Sequence, residues 1–441
     1  MDIVAFFRKY SRAGLYILLT FLSFYCACYR LPVGLKYGVN LVVFAWACME
    51  FFIRPNFDHA MFCMRFFALF FFPYLLFWMW SVGIWISEFQ TFDYILRGSL
   101  NIFYMLTNLL FVVAAVYLFE DKVINYTIVS MTAANSLVAL QVAAGGGVAA
   151  FIQQYIRLIL TFADDTGPLM RSMELHDMVY GWGVCVIYYL IHKEKKWQDQ
   201  VLCLGVSVLY FTMGFKRIAM PAVAGAVLVY YILLKWKPKH LHFMTNLVAI
   251  LCGAGNFFYL WMIKSGLFVK LAKQFGISLM YRDVLYSYFS QFFELLPTYL
   301  GRGIRFIYTY ATEDPKYPLA TPATHNVYLE FYLEVGFWCW WIWILYELAF
   351  RIHRIDERYG AKPAYVLMAM NIYVFFTYLT DNTSFYYPIN VLYRMAVMVV
   401  CYEAKEKEKI VDSEMRTTEE LKDLRKQEDL ETNTHGFYKR Q

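Results

Sequence analysis

The segment Thr324-His325-Asn326 and two glutamates after it hold the residues of this chain best suited to chemistry. Asn326, Glu330 and Glu334 recur every four residues and therefore share one face of a helix. Histidine exchanges a proton near neutral pH, so His325 is a candidate for activating a hydroxyl group. The alternative for His325 is an interfacial ring or a helix cap. We expect the glutamates to orient nearby cations and Asn326 to contact substrate.

Basic residues form two further groups. Lys216 and Arg217 lie in a tight turn between apolar segments, and Arg282, Arg302 and Arg305 lie in the long segment before the histidine. Guanidinium groups bind phosphate through paired hydrogen bonds and keep their charge at any relevant pH. The alternatives are snorkelling basics at a membrane boundary and solvated loop arginines. Together with the histidine, the cations predict a site that stabilises a leaving diphosphate while a hydroxyl attacks.

Composition places these groups in a membrane protein. Of 441 residues, 60% are hydrophobic and only 17% are charged, whereas soluble domains carry roughly 25% charged residues. The mean hydropathy is +0.44. Lipid, rather than an unusually large core, accounts for so much apolar surface. The fold class is therefore predicted as an all-α polytopic membrane protein. We expect membrane lipid as a partner and expect no binding to nucleic acid.

Hydropathy predicts about twelve transmembrane helices. We place them at about 13–29, 38–53, 66–87, 98–119, 123–144, 175–191, 200–215, 218–234, 241–263, 326–349, 364–380 and 388–402. Basic clusters near residues 8–12, 193–196, 235–239 and 351–362 all fall on one side of this topology. By the positive-inside rule that side is cytoplasmic, so both termini are expected in the cytoplasm.

The topology divides the chain into a membrane domain, 1–402, and a charged cytoplasmic tail, 403–441. Two outer loops are long, at about 145–174 and 264–325, and loops of this length usually carry function. The sequence of the second loop predicts a short amphipathic helix at 266–275 and another helix from Arg282 to Leu296. The span interiors are expected to hold almost no ionisable groups.

The His325-Asn326 motif resembles a known family at this point. Followed by nine residues and Gly336, it is similar to the motif of the bacterial O-antigen ligase and O-antigen polymerase superfamily. The family continues with a second glycine where this chain has Cys339, which weakens the expectation of close helix packing there. The resemblance covers roughly residues 175–345.

Further positions carry the same resemblance. Arg217 and Arg282 fall where the family has essential arginines, at an outer helix end and early in the large outer loop. Gly301-Arg302-Gly303 resembles a glycine-containing stretch of that loop. The predicted topology, with one large outer loop before the histidine helix, matches as well.

The resemblance implies a metal-independent, inverting glycosyltransferase of the bacterial inner membrane that needs no cofactor. Its donor would be an oligosaccharide on undecaprenyl diphosphate, and its product O-antigen, capsule or exopolysaccharide. His325, Arg217 and Arg282 would be catalytic. Contacts to phosphate or sugar are expected from Lys216, Arg302, Arg305, Asn326, Glu330 and Glu334. Other polysaccharide assembly proteins are possible partners. A polymerase would join repeat units, whereas a ligase would transfer the glycan to lipid A core; we favour the polymerase.

Three other classes of membrane protein are alternatives to this interpretation. A lipid-linked sugar flippase or another transporter suits the topology, but ion-coupled carriers usually need charges near the midplane. A mannosyltransferase-type enzyme needs an acidic base in its first outer loop, and residues 30–37 contain none. A metal-dependent transferase needs spaced carboxylates, whereas Asp164 and Asp165 are adjacent.

Overall fold

The computed structural model describes residues 3–32, 34–161, 168–169, 176–192, 197–214, 216–235, 240–276, 279, 281–310, 313–317 and 324–411. These residues are mostly helical, and none of them forms a strand. The predicted all-α class is confirmed. The Asp164-Asp165 pair and tail residues 412–441 lie outside the described residues.

Long helices make up most of the bundle. In the first part of the chain they run Ile3–Ala27, Leu35–Ile53, Phe57–Ser87, Phe92–Phe119 and Val123–Gly146, followed by the shorter helix Val148–Thr161. They continue with His176–Ile191, Trp197–Gly214, Ala219–Lys235 and Leu241–Lys264. Three short helices follow, at Leu267–Gln274, Arg282–Phe289 and Phe306–Tyr310. The remaining helices are Val327–Leu345 with a π-helical turn at Tyr346–Phe350, Arg351–Tyr359, Ala361–Thr377 and 387–411.

Apolar helices embed the protein in a membrane. Within the described part of the chain, five helical stretches are long and apolar enough to cross one: Leu35–Ile53, Phe57–Ser87, Phe92–Gly146, Leu241–Lys264 and Val327–Tyr359. Large apolar side chains also stand on the outside of the bundle, where Phe52 is 81% exposed and Leu202 is 66% exposed. In water such a surface would be costly, whereas lipid tails solvate it.

Charged residues join helix ends at one end of the bundle, here called the basic end. Arg12 in the first helix pairs with Glu50 near the end of the second at 3.3 Å. Lys409 near the end of the last helix pairs with Asp58 at the start of the third at 2.9 Å. The same end holds two further pairs, His192 with Glu403 and His242 with Asp356.

The opposite end, here called the His325 end, gathers the other helix ends and the loop before His325. Trp80 Nε1 donates to the Leu300 carbonyl at 3.0 Å, and Arg97 pairs with Glu313 at 2.6 Å. Tyr29 at the end of the first helix reaches Asp177, and Lys264 donates to the Phe293 carbonyl. Consecutive long helices therefore run alternately between the two ends.

The structure differs from three local predictions. The segment predicted as an outer loop at 145–174 contains the helix Val148–Thr161, whose Leu158 is buried against the bundle. The helix that begins at Arg282 ends at Phe289, well before Leu296, because a 3₁₀ turn follows it. The last helix extends to residue 411 and so includes the start of the predicted tail.

A break in the helix Val327–Leu345 anchors the preceding loop. Gly336 has a φ of +78°, so the helix kinks there and leaves backbone carbonyls of the previous turn without helical partners. The Arg302 N–H donates to the Leu333 carbonyl at 2.9 Å, and the Gly303 N–H donates to the Glu334 carbonyl at 2.8 Å. The loop backbone thus replaces the missing helical hydrogen bonds.

We predict that Gly336→Ala lowers the free energy of unfolding by about 3 kcal/mol or more. Its methyl group would lie 2.3 Å from the Leu300 carbonyl carbon, and the positive φ adds backbone strain. Thermal unfolding of the purified protein measures the effect. Gly205→Ala is the matched control, since Gly205 lies in a helix with open space around it. Equal stability of Gly336→Ala and wild type would contradict the loop docking.

Candidate functional site

Hydrogen bonds fix the backbone around His325. The Asn326 side chain caps the helix Val327–Leu345 by accepting from the Leu329 N–H at 3.0 Å. The Val327 N–H donates to the Tyr378 carbonyl at 3.0 Å, which joins this helix start to the end of Ala361–Thr377. Asn326 is completely buried, and its Nδ2 lies 3.4 Å from the Tyr286 hydroxyl. The asparagine therefore holds the helix start in place.

The His325 side chain faces a carboxylate. Its Nδ1 lies 3.9 Å from Asp381 Oδ1, and 43% of the His325 side chain is exposed. The backbone of His325 has a φ of +51°, in the left-handed region that is uncommon for residues other than glycine, although histidine adopts it more often than most. Strain of this kind persists where the surrounding structure fixes the residue, and it is common at functional sites.

Asp381 is the residue that the sequence interpretation missed. Its carboxylate accepts from the Tyr180 hydroxyl at 2.9 Å, from the Tyr386 hydroxyl and from the Asn382 N–H at 2.9 Å. These donors hold the carboxylate in one orientation toward His325. The available signal was an acidic residue in a short polar segment between two apolar helices, on the side predicted to be outer.

Arg282 reaches the same segment from the loop. It is the first residue of the helix Arg282–Phe289, and its Nη2 donates to the Thr380 carbonyl at 2.8 Å. Its Nε is buried without a hydrogen-bond partner. The guanidinium therefore lies beside the residue that precedes Asp381, with donor capacity left over. Arg282 and His325 thus contact adjacent residues of one short segment, Thr380 and Asp381.

Arg305 faces the two glutamates of the histidine helix. Its guanidinium packs over the rings of Tyr104 and Tyr308, at 5.6 and 5.7 Å from their centres. Glu330 and Glu334 are 2% and 1% exposed, and each keeps one carboxylate oxygen without a hydrogen-bond partner. The positive charge of Arg305 acts on both carboxylates.

Thr324 links the first of these glutamates to the Asp381 segment. Its hydroxyl lies 3.1 Å from Glu330 Oε2 and 3.3 Å from Asn382 Oδ1. Because Asn382 also donates its N–H to Asp381, a continuous set of polar contacts runs from Glu330 to His325.

The other predicted cations lie at the same end but in different surroundings. Arg302 Nη1 is 3.5 Å from Glu88 at the end of the third helix. Lys216 and Arg217 form the turn between Trp197–Gly214 and Ala219–Lys235, and Arg217 is exposed. Gly214, just before this turn, packs against Val179, next to the Tyr180 that binds Asp381.

The expectation of almost no ionisable groups within the spans is wrong. Glu347, Arg351 and Arg394 are each at most 5% exposed inside the bundle. Arg351, expected in a cytoplasmic loop, pairs with Glu347 across the π-helical turn and stacks 4.1 Å from the Phe70 ring centre. Arg394 Nη1 donates to the Asn390 carbonyl at 2.9 Å. Hydropathy averages concealed these residues among aromatic neighbours.

Comparison with known proteins assigns no family to this geometry. No protein-family model matches the chain, and no curated protein is significantly similar to it. Among the described residues, no group of three or more His, Cys, Asp or Glu side chains is placed to hold a metal ion. The chemistry of the site is therefore argued from its own side chains.

We predict that His325→Gly is more stable than His325→Ala by about 1 kcal/mol. Glycine adopts a φ of +51° freely, whereas alanine carries the same left-handed strain as histidine. Thermal unfolding midpoints of the two variants measure the difference. Position 364 is the control, because it lies in a regular helix and glycine destabilises helices. There the native alanine should be more stable than the Ala364→Gly variant. A more stable alanine variant at both positions would contradict the backbone described for His325.

Proposed function

We propose that this protein is a polytopic membrane glycosyltransferase that joins glycan repeat units carried on undecaprenyl diphosphate. It would act at the outer face of a bacterial cell membrane, as an O-antigen or exopolysaccharide polymerase. The observation that carries the proposal is the short segment where His325 faces Asp381 and Arg282 binds the Thr380 carbonyl. There His325 would serve as a base and Arg282 as a cation for one substrate.

In the proposed reaction His325 acts as the base and Arg282 stabilises the leaving group. Because His325 Nδ1 lies toward Asp381, Nε2 is available to an acceptor hydroxyl. The hydroxyl oxygen attacks the anomeric carbon of the donor, its proton passes to Nε2, and the bond from that carbon to the diphosphate oxygen breaks. The undecaprenyl diphosphate leaves with its negative charge, which Arg282 stabilises. Attack opposite to the leaving group inverts the anomeric centre.

Other cations have supporting roles in the proposal. Arg217 would also bind diphosphate, since its turn lies at the His325 end. Lys216, Arg302 and Arg305 would contact phosphate or sugar. Glu330 and Glu334 would orient Arg305, whose charge acts on both carboxylates.

The alternating helices support the proposed orientation. Their alternation favours about twelve membrane crossings. Arg12 and Lys409 lie at the basic end together, so the described first and last helices begin and finish there. The positive-inside rule would put this end in the cytoplasm and the His325 end outside, where lipid-linked glycans are presented.

The acceptor defines two versions of the enzyme. A polymerase transfers the glycan to another lipid-linked repeat unit, and a ligase transfers it to lipid A core. Both would use the same base and the same cations. We favour the polymerase because it needs a single type of substrate and no further lipid partner.

One observation favours a transporter as a second candidate. Glu347, Arg351 and Arg394 are charged groups inside the bundle, and such groups commonly mark substrate or ion pathways. A flippase for lipid-linked sugars would move its cargo past them. It would not require a histidine and an arginine fixed on one segment at a single end.

We predict that purified protein given synthetic undecaprenyl-diphosphate repeat units forms a ladder of longer glycans with EDTA present. His325→Asn should slow the ladder by about a hundredfold or more, because the general base is lost. Asparagine is chosen because it tolerates the left-handed backbone of this residue. His240→Asn, at the exposed start of a helix at the basic end, is the matched control.

Each outcome separates the candidates. Transfer that requires added lipid A core would identify a ligase. Equal rates for His325→Asn and wild type would remove His325 from the reaction. Absence of transfer with every acceptor, together with movement of the lipid-linked sugar across vesicle membranes, would establish the transporter.

We predict that Arg282→Gln slows donor consumption by about a hundredfold, because the leaving diphosphate loses a charged donor. Arg282→Lys should retain part of the rate, since lysine keeps the charge but not the paired geometry. Single-turnover release of undecaprenyl diphosphate measures both variants. Arg54→Gln, at an exposed helix end on the basic side, is the control. A change confined to the KM for the acceptor would contradict the role in leaving-group stabilisation.

A further inference from the structure

A half-open space at the His325 end has walls of aromatic rings and amides. This aromatic chamber is lined by Tyr37, Asn101, Tyr104, Arg305 and Tyr308 among others. The rings of Tyr37 and Tyr104 stack at 4.4 Å, which presents a broad aromatic surface. Pockets with aromatic walls and a few polar groups are typical of small-molecule sites.

A second space, here called the inner cleft, continues from the chamber toward the middle of the bundle. Asn101, Ser384, Phe385 and Asn390 line both spaces. The walls of the inner cleft also include Trp343 and Tyr378. The two spaces therefore adjoin each other and share a polar wall, with apolar surfaces on both sides of it.

Polar atoms in the inner cleft lack partners, and their types define what can fill it. Glu330 and Glu334 each offer an unpaired carboxylate oxygen, which accepts hydrogen bonds. Arg394 Nε and the Ser384 hydroxyl are also buried without partners, and both can donate. Leaving such groups unpaired is costly, so a suitable ligand must both donate and accept.

This combination selects against simple ions. An inorganic anion would pair with Arg394 but has no hydrogen to donate to the two glutamate oxygens, and a metal cation has no acceptor to offer Arg394 Nε or the Ser384 hydroxyl. A neutral polyhydroxyl molecule satisfies both sets, because each hydroxyl donates and accepts and the ring C–H faces pack on aromatic side chains. The chemistry of the walls is therefore that of a saccharide site.

The chamber adjoins the segment that holds His325. Phe385 lines the chamber and packs against Tyr308 with ring centres 5.5 Å apart. Only a few residues before it, Asp381 faces His325. We propose that the aromatic chamber and inner cleft bind a sugar of the acceptor glycan. The role as acceptor site rests on the proposed glycosyl transfer, whereas saccharide binding itself does not.

Saccharide binding is tested by saturation-transfer NMR on the full chain in lipid nanodiscs, without sugar-based detergents. The probes are the neutral disaccharides maltose, lactose and N,N′-diacetylchitobiose, with inorganic phosphate as a competitor. We expect at least one disaccharide to bind. Asn101→Leu should weaken it roughly fivefold or more, because an amide hydrogen-bonding group is lost from both spaces.

Matched variants distinguish the loss of a binding group from a general loss of stability. Asn246→Leu makes the same change on the exposed face of another helix and should bind as wild type does. Glu334→Gln keeps the shape of the side chain but removes its charge, and it should also weaken binding while leaving the thermal unfolding midpoint near that of Asn246→Leu. Equal affinities for Asn101→Leu and wild type would overturn the proposal, as would binding by phosphate alone or by no saccharide.

The two proposals fail in distinguishable ways. Disaccharide binding that depends on Asn101, with no glycan transfer to any acceptor, would support the saccharide site and rule out the proposed transferase activity. A glycan ladder that forms at the same acceptor KM in Asn101→Leu and wild type would keep the transferase and place the acceptor elsewhere. If both hold, Asn101→Leu should raise the KM for the acceptor unit and leave single-turnover use of the donor unchanged.

Discussion

The structure of the His325 end depends on one constraint: backbone polar groups within an apolar environment must find partners inside the protein. The kink at Gly336 releases the Leu333 and Glu334 carbonyls from the helix, and the backbone of Arg302 and Gly303 satisfies them. The loop is thereby fixed to the helix that begins after His325. The side chains next to this contact, Arg302 and Arg305, are thereby positioned relative to that helix.

A second constraint acts on the buried charges. An isolated charge in a low-dielectric interior is costly, so Glu347 and Arg351 pair, and Arg351 also stacks on Phe70. Nearer the start of the same kinked stretch, Glu330 and Glu334 are buried, and Arg305 of the preceding loop supplies a positive charge close to both. The buried carboxylates of this stretch thus each have an arginine nearby.

Sequence reasoning identified what depends on local pattern. Apolar periodicity located the long helices, and the four-residue spacing of Asn326, Glu330 and Glu334 placed them on one helix face. It did not single out Asp381, because two of the groups around that carboxylate, Tyr180 and His325, are distant in sequence and are brought to it only by the fold. Nor did hydropathy indicate the helix Val148–Thr161, which is shorter than a membrane span.

The position of His325 between solvent and the buried inner cleft favours the proposed group transfer over transport. Its side chain is partly exposed, while the Glu330 carboxylate, reached through Thr324 and Asn382, is buried in the inner cleft. A transported molecule needs a path that is open in turn to each side, whereas the groups described here are fixed by hydrogen bonds at one end. A group transfer needs two substrates to meet at a rigid place, and the segment between Thr380 and Phe385 provides one. Arg282 binds the Thr380 carbonyl at the start of that segment, and Phe385 at its end lines the aromatic chamber. In the proposed reaction the diphosphate and the saccharide would therefore contact different ends of the segment.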